Sequence, residues 1–238
     1  MLLEEEDFTA SDRVEVRGRR AEHIRKILRA QVGTRLRVGR VNGPLGIGRV
    51  AELELGRALL EVEFEPERAL PPPSPVVLAV AMCRPPTLAK VLQQGSALGV
   101  KRFEFFHCRR VEKSYWDAKA LATAALRKEM SLGLEQCVDT RMPTIGMHRR
   151  FRPFAEDVLG RETPPRVRVA DPSATGPATP VAEPQVIVLG PEGGFIPFEL
   201  ELFRERGFEF VGLGPRVLRV ETAVVAALAQ QALAADAC

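Results

Sequence analysis

From residue 76 onward the chain repeats one pattern, a short apolar run followed by a stretch of helical period, and no other feature restricts its fold as much. The runs are VVLAVAMC at 76–83, VKRFEFF at 100–106, RVRVA at 166–170, VIVLG at 186–190 and FEFVGL at 208–213. A strand that is apolar on both faces must be covered on both, and a parallel sheet flanked by helices does this. Between the runs, Leu88, Val91, Leu92 and Leu98 fall on one side of a helix, and a long helix is predicted from about Asp117 to Leu134. PFELELFRERG has Pro197 at a first helical position and Gly207 as its stop. The pattern predicts an α/β domain on a mostly parallel sheet.

The earlier residues follow another rhythm. AEHIRKILRA at 21–30 places Ile24, Ile27 and Leu28 on one helical stripe and leaves Arg25, Lys26 and Arg29 on the opposite face. TRLRVGRVNGPLGIGRVAELEL then alternates apolar and polar residues around Asn42-Gly43 and PLGIG, as short antiparallel strands joined by tight turns do. A small barrel is expected over residues 1–68. PERALPPPSP breaks both periodicities and is stiffened by proline, which makes 69–75 a linker and 76–238 the second domain. A chain of 238 residues accommodates both. PPRVRVADPSATGPATPVAEP holds a low-complexity stretch, read as loop on its C-terminal side.

Composition narrows the chemistry. Cys83, Cys108, Cys137 and Cys238 are far apart, as are His23, His107 and His148, so neither a disulfide framework nor a metal site is expected. No window approaches the roughly 20 apolar residues of a membrane span, and the start MLLEEEDF is no secretory signal. The cytosol is the expected location. Although the net charge is only +3, eleven basic residues between Arg13 and Arg49 stand against Glu15 and Glu22, a local excess of nine. Such asymmetry suggests a face for phosphates, its other reading being a solvated basic face with no partner.

Ligands of open parallel sheets bind outside the carboxyl ends of the strands. Two such ends stand out. VIVLG runs into Gly190, Pro191, Glu192, Gly193, Gly194 and Phe195, and FEFVGL runs into Gly214, Pro215, Arg216, Val217, Leu218, Arg219, Val220, Glu221 and Thr222. Neither G-x-G-x-x-G nor G-x-x-x-x-G-K-[ST] occurs, which weakens dinucleotide and nucleoside-triphosphate readings.

LGPEGGF followed by LGPRVLRVETA resembles the paired C-terminal motifs of the RsmE family, the uridine-N3 methyltransferases of 16S ribosomal RNA in the SPOUT superfamily. AEHIRKILRAQVG is similar to that family's N-terminal H-x-x-x-V-L-R motif, LGVKR to its L-G-V segment, and RRVEKSYW to one branch of it. The resemblance covers essentially the whole chain. It implies a PUA-like RNA-binding barrel followed by a trefoil-knotted methyltransferase domain, S-adenosylmethionine as the donor, an RNA substrate and a homodimer.

Carried onto this sequence, the resemblance implies a cofactor site at Leu189, Gly190, Pro191, Glu192, Gly193, Gly194, Leu213, Gly214, Val217, Leu218 and Thr222. Absent Cβ atoms let backbone groups read an adenine edge. Glu192 either secures the loop or contacts the methionyl end. Arg219 and Glu221 are the catalytic candidates: a cation beside the uracil carbonyls stabilises developing negative charge, and a carboxylate accepts or relays the N3 proton. Their other reading is an ion pair within the loop, or for Glu221 an acid at a helix N-terminus. The final helix, ETAVVAALAQQALAA, belongs in the core or at a dimer interface.

Arg25, Lys26, Arg29, Arg109, Arg110 and Lys113 are the candidate RNA contacts, with Arg149, Arg150 and Arg152 as a further cluster. Tyr115, Trp116, Phe151 and Phe154 are either stacking surfaces or core.

Some positions depart from the family pattern. Ala97 replaces the glutamate of T-E-L-G-V, Arg84 and Thr87 stand in a K-G-x-K motif, and Val138-Asp139 follow Glu135-Gln136-Cys137 where Gly-Arg is usual. The resemblance implies that these sites lie around the RNA or dimer side of the pocket. A different RNA or base atom, or an RNA-binding homologue without methyl transfer, therefore stays open beside the uridine-N3 reading.

Overall fold

The computed structural model describes residues 1–161, 166–174 and 183–235. The chain divides into two compact units, one of 1–71 with 134–142 and one of 72–133 with 143–238. Residues 175–182 of the low-complexity stretch lie outside the described residues.

The first unit comprises β1 (Leu2–Leu3), β2 (Phe8–Ala10), β3 (Arg13–Arg17), α1 (Arg19–Glu22), β4 (Arg35–Arg40), β5 (Leu45–Glu54) and β6 (Arg57–Glu65). Its six strands form one sheet in the order β1-β4-β5-β6-β3-β2, antiparallel except for β1 beside β4. The ladders leave β1 and β2 as edges instead of closing on one another. Val14, Val16, Ile24, Val38, Val50 and Leu60 form the core, which explains the alternation along β3 and β6. Asn42, at φ +56°, turns β4 into β5, but from Leu45 onward PLGIG is continuous strand and not a second turn. There Gly46 is required, because a Cβ would stand 2.3 Å from the Glu63 carbonyl on β6.

The helical stripe does not form. After α1 the chain takes a π turn over His23–Ile27, in which Leu28 N–H donates to the His23 carbonyl at 3.0 Å. The extra residue in the turn rotates Ile27 and Leu28 away from the buried Ile24, leaving them 69% and 50% exposed. Arg25 and Lys26 do not stand free on an outer face either: both reach the Glu22 carboxylate, at 3.1 and 2.6 Å.

Residues 134–142 belong to this unit through specific bonds. Leu2 N–H donates to Glu135 at 3.0 Å, Thr140 Oγ1 donates to the Gly43 carbonyl at 2.6 Å, and Met142 N–H donates to Asn42 Oδ1 at 2.8 Å. Val138, standing where the family pattern has glycine, keeps a left-handed φ of +60°.

The second unit holds β7 (Val76–Ala81), α2 (Pro85–Ala97), β8 (Arg102–Phe106), α3 (Thr123–Cys137, its end in the first unit), β9 (Thr144–His148), α4 (Phe151–Pro153), β10 (Val167–Ala170), β11 (Gln185–Leu189), α5 (Pro197–Glu205), β12 (Glu209–Val211) and α6 (Val220–Ala235). Its six strands are all parallel, in the order β12-β10-β11-β7-β8-β9. Pro197 opens α5, and Gly207, at φ +72°, follows its end. On α2, Leu88, Val91 and Leu92 are buried, but Leu98 lies past the last turn and is 40% exposed. Helix α6 packs on α2, burying Val224, Ala227 and Leu228.

Candidate active site

The register of the sheet brings three strand ends level: Ala170 of β10 pairs with Leu189 of β11 and with Val211 of β12. Beyond them opens a cavity of about 240 Å³, close to the lower end of ligand sites at roughly 300 Å³. Leu189, Gly190, Pro191, Glu192, Gly193 and Gly194 line it from one loop, and Leu213, Gly214, Val217 and Leu218 from the other.

Phe195, Arg216 and Val220 of the same two loops also line it, and the sequence reading missed a third wall, Ala170, Asp171 and Pro172 after β10, together with Ala223. Thr222 does not line the cavity. Helix α6 already begins at Val220, so Thr222 turns outward to solvent while the next residue, Ala223, faces the cavity.

The glycines of the first loop differ in what they allow. Gly194 has φ +72°, which an L side chain rarely adopts, and a Cβ on Gly190 would meet the Phe195 ring at 3.0 Å. Gly193 has no such φ; a Cβ there would meet the Arg110 side chain at 3.1 Å. In the second loop Gly214 has φ +115° and open space where its Cβ would point.

Glu192 and Arg216 are the charged wall residues without an ion pair or side-chain hydrogen bond among the described residues, whereas Asp171 accepts the Ser173 N–H at 2.7 Å. One free anion and one free cation beside apolar walls suit a ligand that carries both charges. Cys83, at the end of β7, is buried, and burial, reinforced by the Glu192 and Glu221 carboxylates, pushes its thiol up to about 12. It is therefore no nucleophile at neutral pH.

Arg219 is exposed outside the cavity wall, and its carbonyl accepts the Ala223 N–H at 2.8 Å. Glu221 is buried and paired with Lys90 on α2 at 3.1 Å. Its own backbone N–H, with Lys90 and Arg219, holds its carboxyl below the usual range against the opposing effect of burial. A carboxylate so stabilised is a poor proton acceptor, so its environment favours the helix-terminus reading.

Of the candidate RNA contacts in this unit, Arg109 and Lys113 are exposed and without ion pairs among the described residues, and the Arg110 guanidinium donates to the Gly193 carbonyl. Trp116 and Phe154 are buried and do not offer stacking faces. Trp116 donates to His107 Nδ1 at 3.0 Å, and the Arg149 guanidinium lies 5.3 Å from its ring centroid.

Comparison with known proteins agrees with this architecture. Residues 70–232 match the family model described as RNA methyltransferase domain. Ribosomal RNA small subunit methyltransferase E of Treponema pallidum is 30% identical over 87% of this chain and 80% of its own. The enzyme of the same name from Synechocystis is 27% identical over 87% of this chain and 69% of its own. Among solved structures, a methyltransferase from Legionella pneumophila in complex with SAM superposes with a TM-score of 0.77 at 22% identity, over 98% of this chain and 97% of that one. Ribosomal RNA small subunit methyltransferase E from Neisseria gonorrhoeae, bound to S-adenosyl methionine, gives 0.73 at 20% identity with the same coverage. The chain belongs to the RNA methyltransferase family, among the ribosomal RNA small subunit methyltransferases E.

Proposed function

We propose that this protein is an S-adenosylmethionine-dependent methyltransferase that acts on uridine N3 of 16S ribosomal RNA, in the cytoplasm. The observation that carries the reading is the cavity at the level ends of β10, β11 and β12, walled by both glycine-rich loops. The bound donor would supply an electrophilic methyl group on a sulfonium. Leu189, Leu213, Val217 and Leu218 offer it apolar walls, Gly190, Gly194 and Gly214 accessible backbone, and Glu192 and Arg216 one charge of each sign.

Uridine N3 must lose its proton before it attacks a methyl group. Arg219, exposed beside the cavity loop, is assigned to the negative charge that develops on the uracil. Glu192, a free carboxylate on the wall, takes over from Glu221 as the proton-accepting candidate. Glu221 with Lys90 instead fixes the start of α6 against α2.

We read the second unit, which holds 76–238 apart from 134–142, as a trefoil-knotted SPOUT domain, and the first, built on residues 1–68, as a PUA-like domain that adds RNA contacts, with 69–75 as the linker. The active form is assigned as a homodimer: on the apolar α6, Val225 and Ala229 remain exposed and available to a second copy.

Single-turnover transfer from labelled donor to 16S ribosomal RNA tests the assignment. Arg219→Ala should bind donor and RNA within a few-fold of wild type and transfer methyl about 100-fold more slowly, the scale of losing one preorganised electrostatic group. A wild-type rate in the variant removes Arg219 from the mechanism. No transfer by wild-type protein with both ligands bound would favour an RNA-binding homologue that has lost the reaction.

A further inference from the structure

We propose that Arg110 is a positioning residue that links RNA contact to donor binding. The proposal rests on the function assigned above. The loop after β8 is fastened to the glycine loop at two adjacent residues. Arg109 N–H donates to Glu199 Oε1 at 2.7 Å, and Ile196 N–H donates to Oε2 of the same carboxylate at 3.0 Å. Capping α5 needs only the second of these bonds. The first ties a loop from another strand to the same side chain, which is only 2% exposed. With a backbone donor on each oxygen, this buried carboxylate is a fixed pivot.

Arg110, the next residue, is exposed. Its guanidinium donates to the Gly193 carbonyl, and its stem lies where a side chain on Gly193 would stand. Behind the two bonds, Phe106 and Phe195 stack at 6.3 Å and fill the interior. One fastening is therefore buried and permanent, while the other is a surface bond between a cation and a neutral carbonyl. A phosphate adds the attraction of a full negative charge and can take both arms of the guanidinium, whereas the carbonyl accepts a single bond, so an RNA phosphate competes well for this guanidinium. Arg109 and Lys113, neither of them in an ion pair among the described residues, draw the phosphate to the same place. Releasing Gly193 alters the wall of the donor cavity beside the left-handed Gly194. Any such effect of RNA on donor affinity must be returned as an equal effect of donor on RNA affinity.

Calorimetric titration of S-adenosylhomocysteine, with and without saturating oligouridine, tests the link. Wild-type protein should show a change in S-adenosylhomocysteine Kd of about fivefold or more on adding the oligonucleotide. Arg110→Met keeps the apolar stem over Gly193 but cannot donate. Without RNA it should already have the Kd of RNA-bound wild type, and RNA should change it no further. Arg109→Met, which keeps its backbone bond to Glu199, should bind oligouridine more weakly yet retain the full shift once saturated. A wild-type protein without a shift, or an Arg110→Met variant that retains one, overturns the proposal. Failure of wild-type protein to bind either probe in the separate binary titrations instead removes the functional reading, and the proposal with it.

Discussion

The cations of the first unit and those around the donor cavity differ in what they face. Between Arg13 and Arg49, eight of the eleven basic residues are engaged by carboxylates. Arg13 and Arg49 meet Glu61, Arg17 meets Glu15, Arg19 meets Glu135, Arg20 meets Asp7, Arg25 and Lys26 share Glu22, and Arg40 meets Glu5. Arg29, Arg35 and Arg37 are the remainder. In the loops at the carboxyl ends of the parallel strands and just beyond, Arg109, Lys113, Arg150, Arg216 and Arg219 are exposed without an ion pair among the described residues. Exposed pairs add little stability, but they occupy the charge that a phosphate would meet. A local excess of positive charge is therefore a different quantity from free positive charge, and the stronger phosphate footprint is expected beside the cavity.

The largest expected effect tests this directly. Replacing Arg109, Lys113 and Arg150 together by Ala should lower affinity for single-stranded RNA about 100-fold near 0.1 M salt, since each lost phosphate contact removes roughly 0.7 from the salt slope. The slope itself should flatten by about 2. Replacing the paired Arg13, Arg17 and Arg49 by Ala should change RNA affinity by less than about threefold. Equal losses from the two triple variants, measured by fluorescence anisotropy over a salt series, would break the comparison.

A smaller effect concerns the segment that supplies part of the first unit's neutralising charge. Glu135 and Asp139 flank Val138, whose φ of +60° is costly for a β-branched residue. Left-handed backbone costs a non-glycine residue about 1–2 kcal/mol, and glycine gives back roughly 0.5–1 kcal/mol in the entropy of the unfolded chain. Val138→Gly should therefore stabilise the protein by about 0.5–1 kcal/mol, raising the thermal midpoint by about 2 °C. RNA affinity should not change, because the ion pairs of this segment are already formed. A destabilised variant would mean that Val138 packing outweighs its backbone strain.

How much of this was legible depended on whether one residue type or a distant neighbour decided the geometry. Proline and glycine act locally, which is why Pro197, Gly207 and the walls at Leu189–Gly194 could be read from the chain itself. Ala170, Asp171 and Pro172 could not, because they reach the cavity only through the pairing of β10 between β11 and β12. Thr222 stands one step of helical rotation away from the cavity wall, a consequence of where α6 starts. The stripe of Ile24, Ile27 and Leu28 failed because a 3.6-residue period was assumed across a π turn. Glu199 was hidden as an ordinary acid in a first helical turn; its second bond, to Arg109, is tertiary. Charge pairing is likewise invisible in composition, since Glu61 and Glu135 are remote in sequence from the arginines they engage.

The smallest effect sharpens the comparison by using a histidine as a probe of free charge. Because an indole N–H can only donate, the bond from Trp116 makes His107 Nδ1 an acceptor and leaves its ring proton on Nε2. Burial, and then the unpaired Lys113, lower the His107 pKa below its ordinary 6.5, with Glu199 acting in the opposite direction. The unfolded chain consequently binds more protons than the folded one just below that value. The contribution to stability is fully present above about pH 6.5 and is lost as pH falls through the lowered folded-state pKa. Glu15, Glu22 and Glu221, whose pKa values lie below the ordinary 4.5, lose their contributions only at more acidic pH, so the windows separate. Urea unfolding at about pH 7.5 and 5.5 should show wild-type protein losing more stability than His107→Gln, by a fraction of a kcal/mol once solvent screening is allowed for. Lys113→Ala should recover part of that difference and leave the larger part, which comes from burial. A Lys113→Ala variant with the full wild-type loss would mean that this loop cation is screened as completely as the paired cations of the first unit, and the distinction between the two regions would fail at the position where it is easiest to titrate.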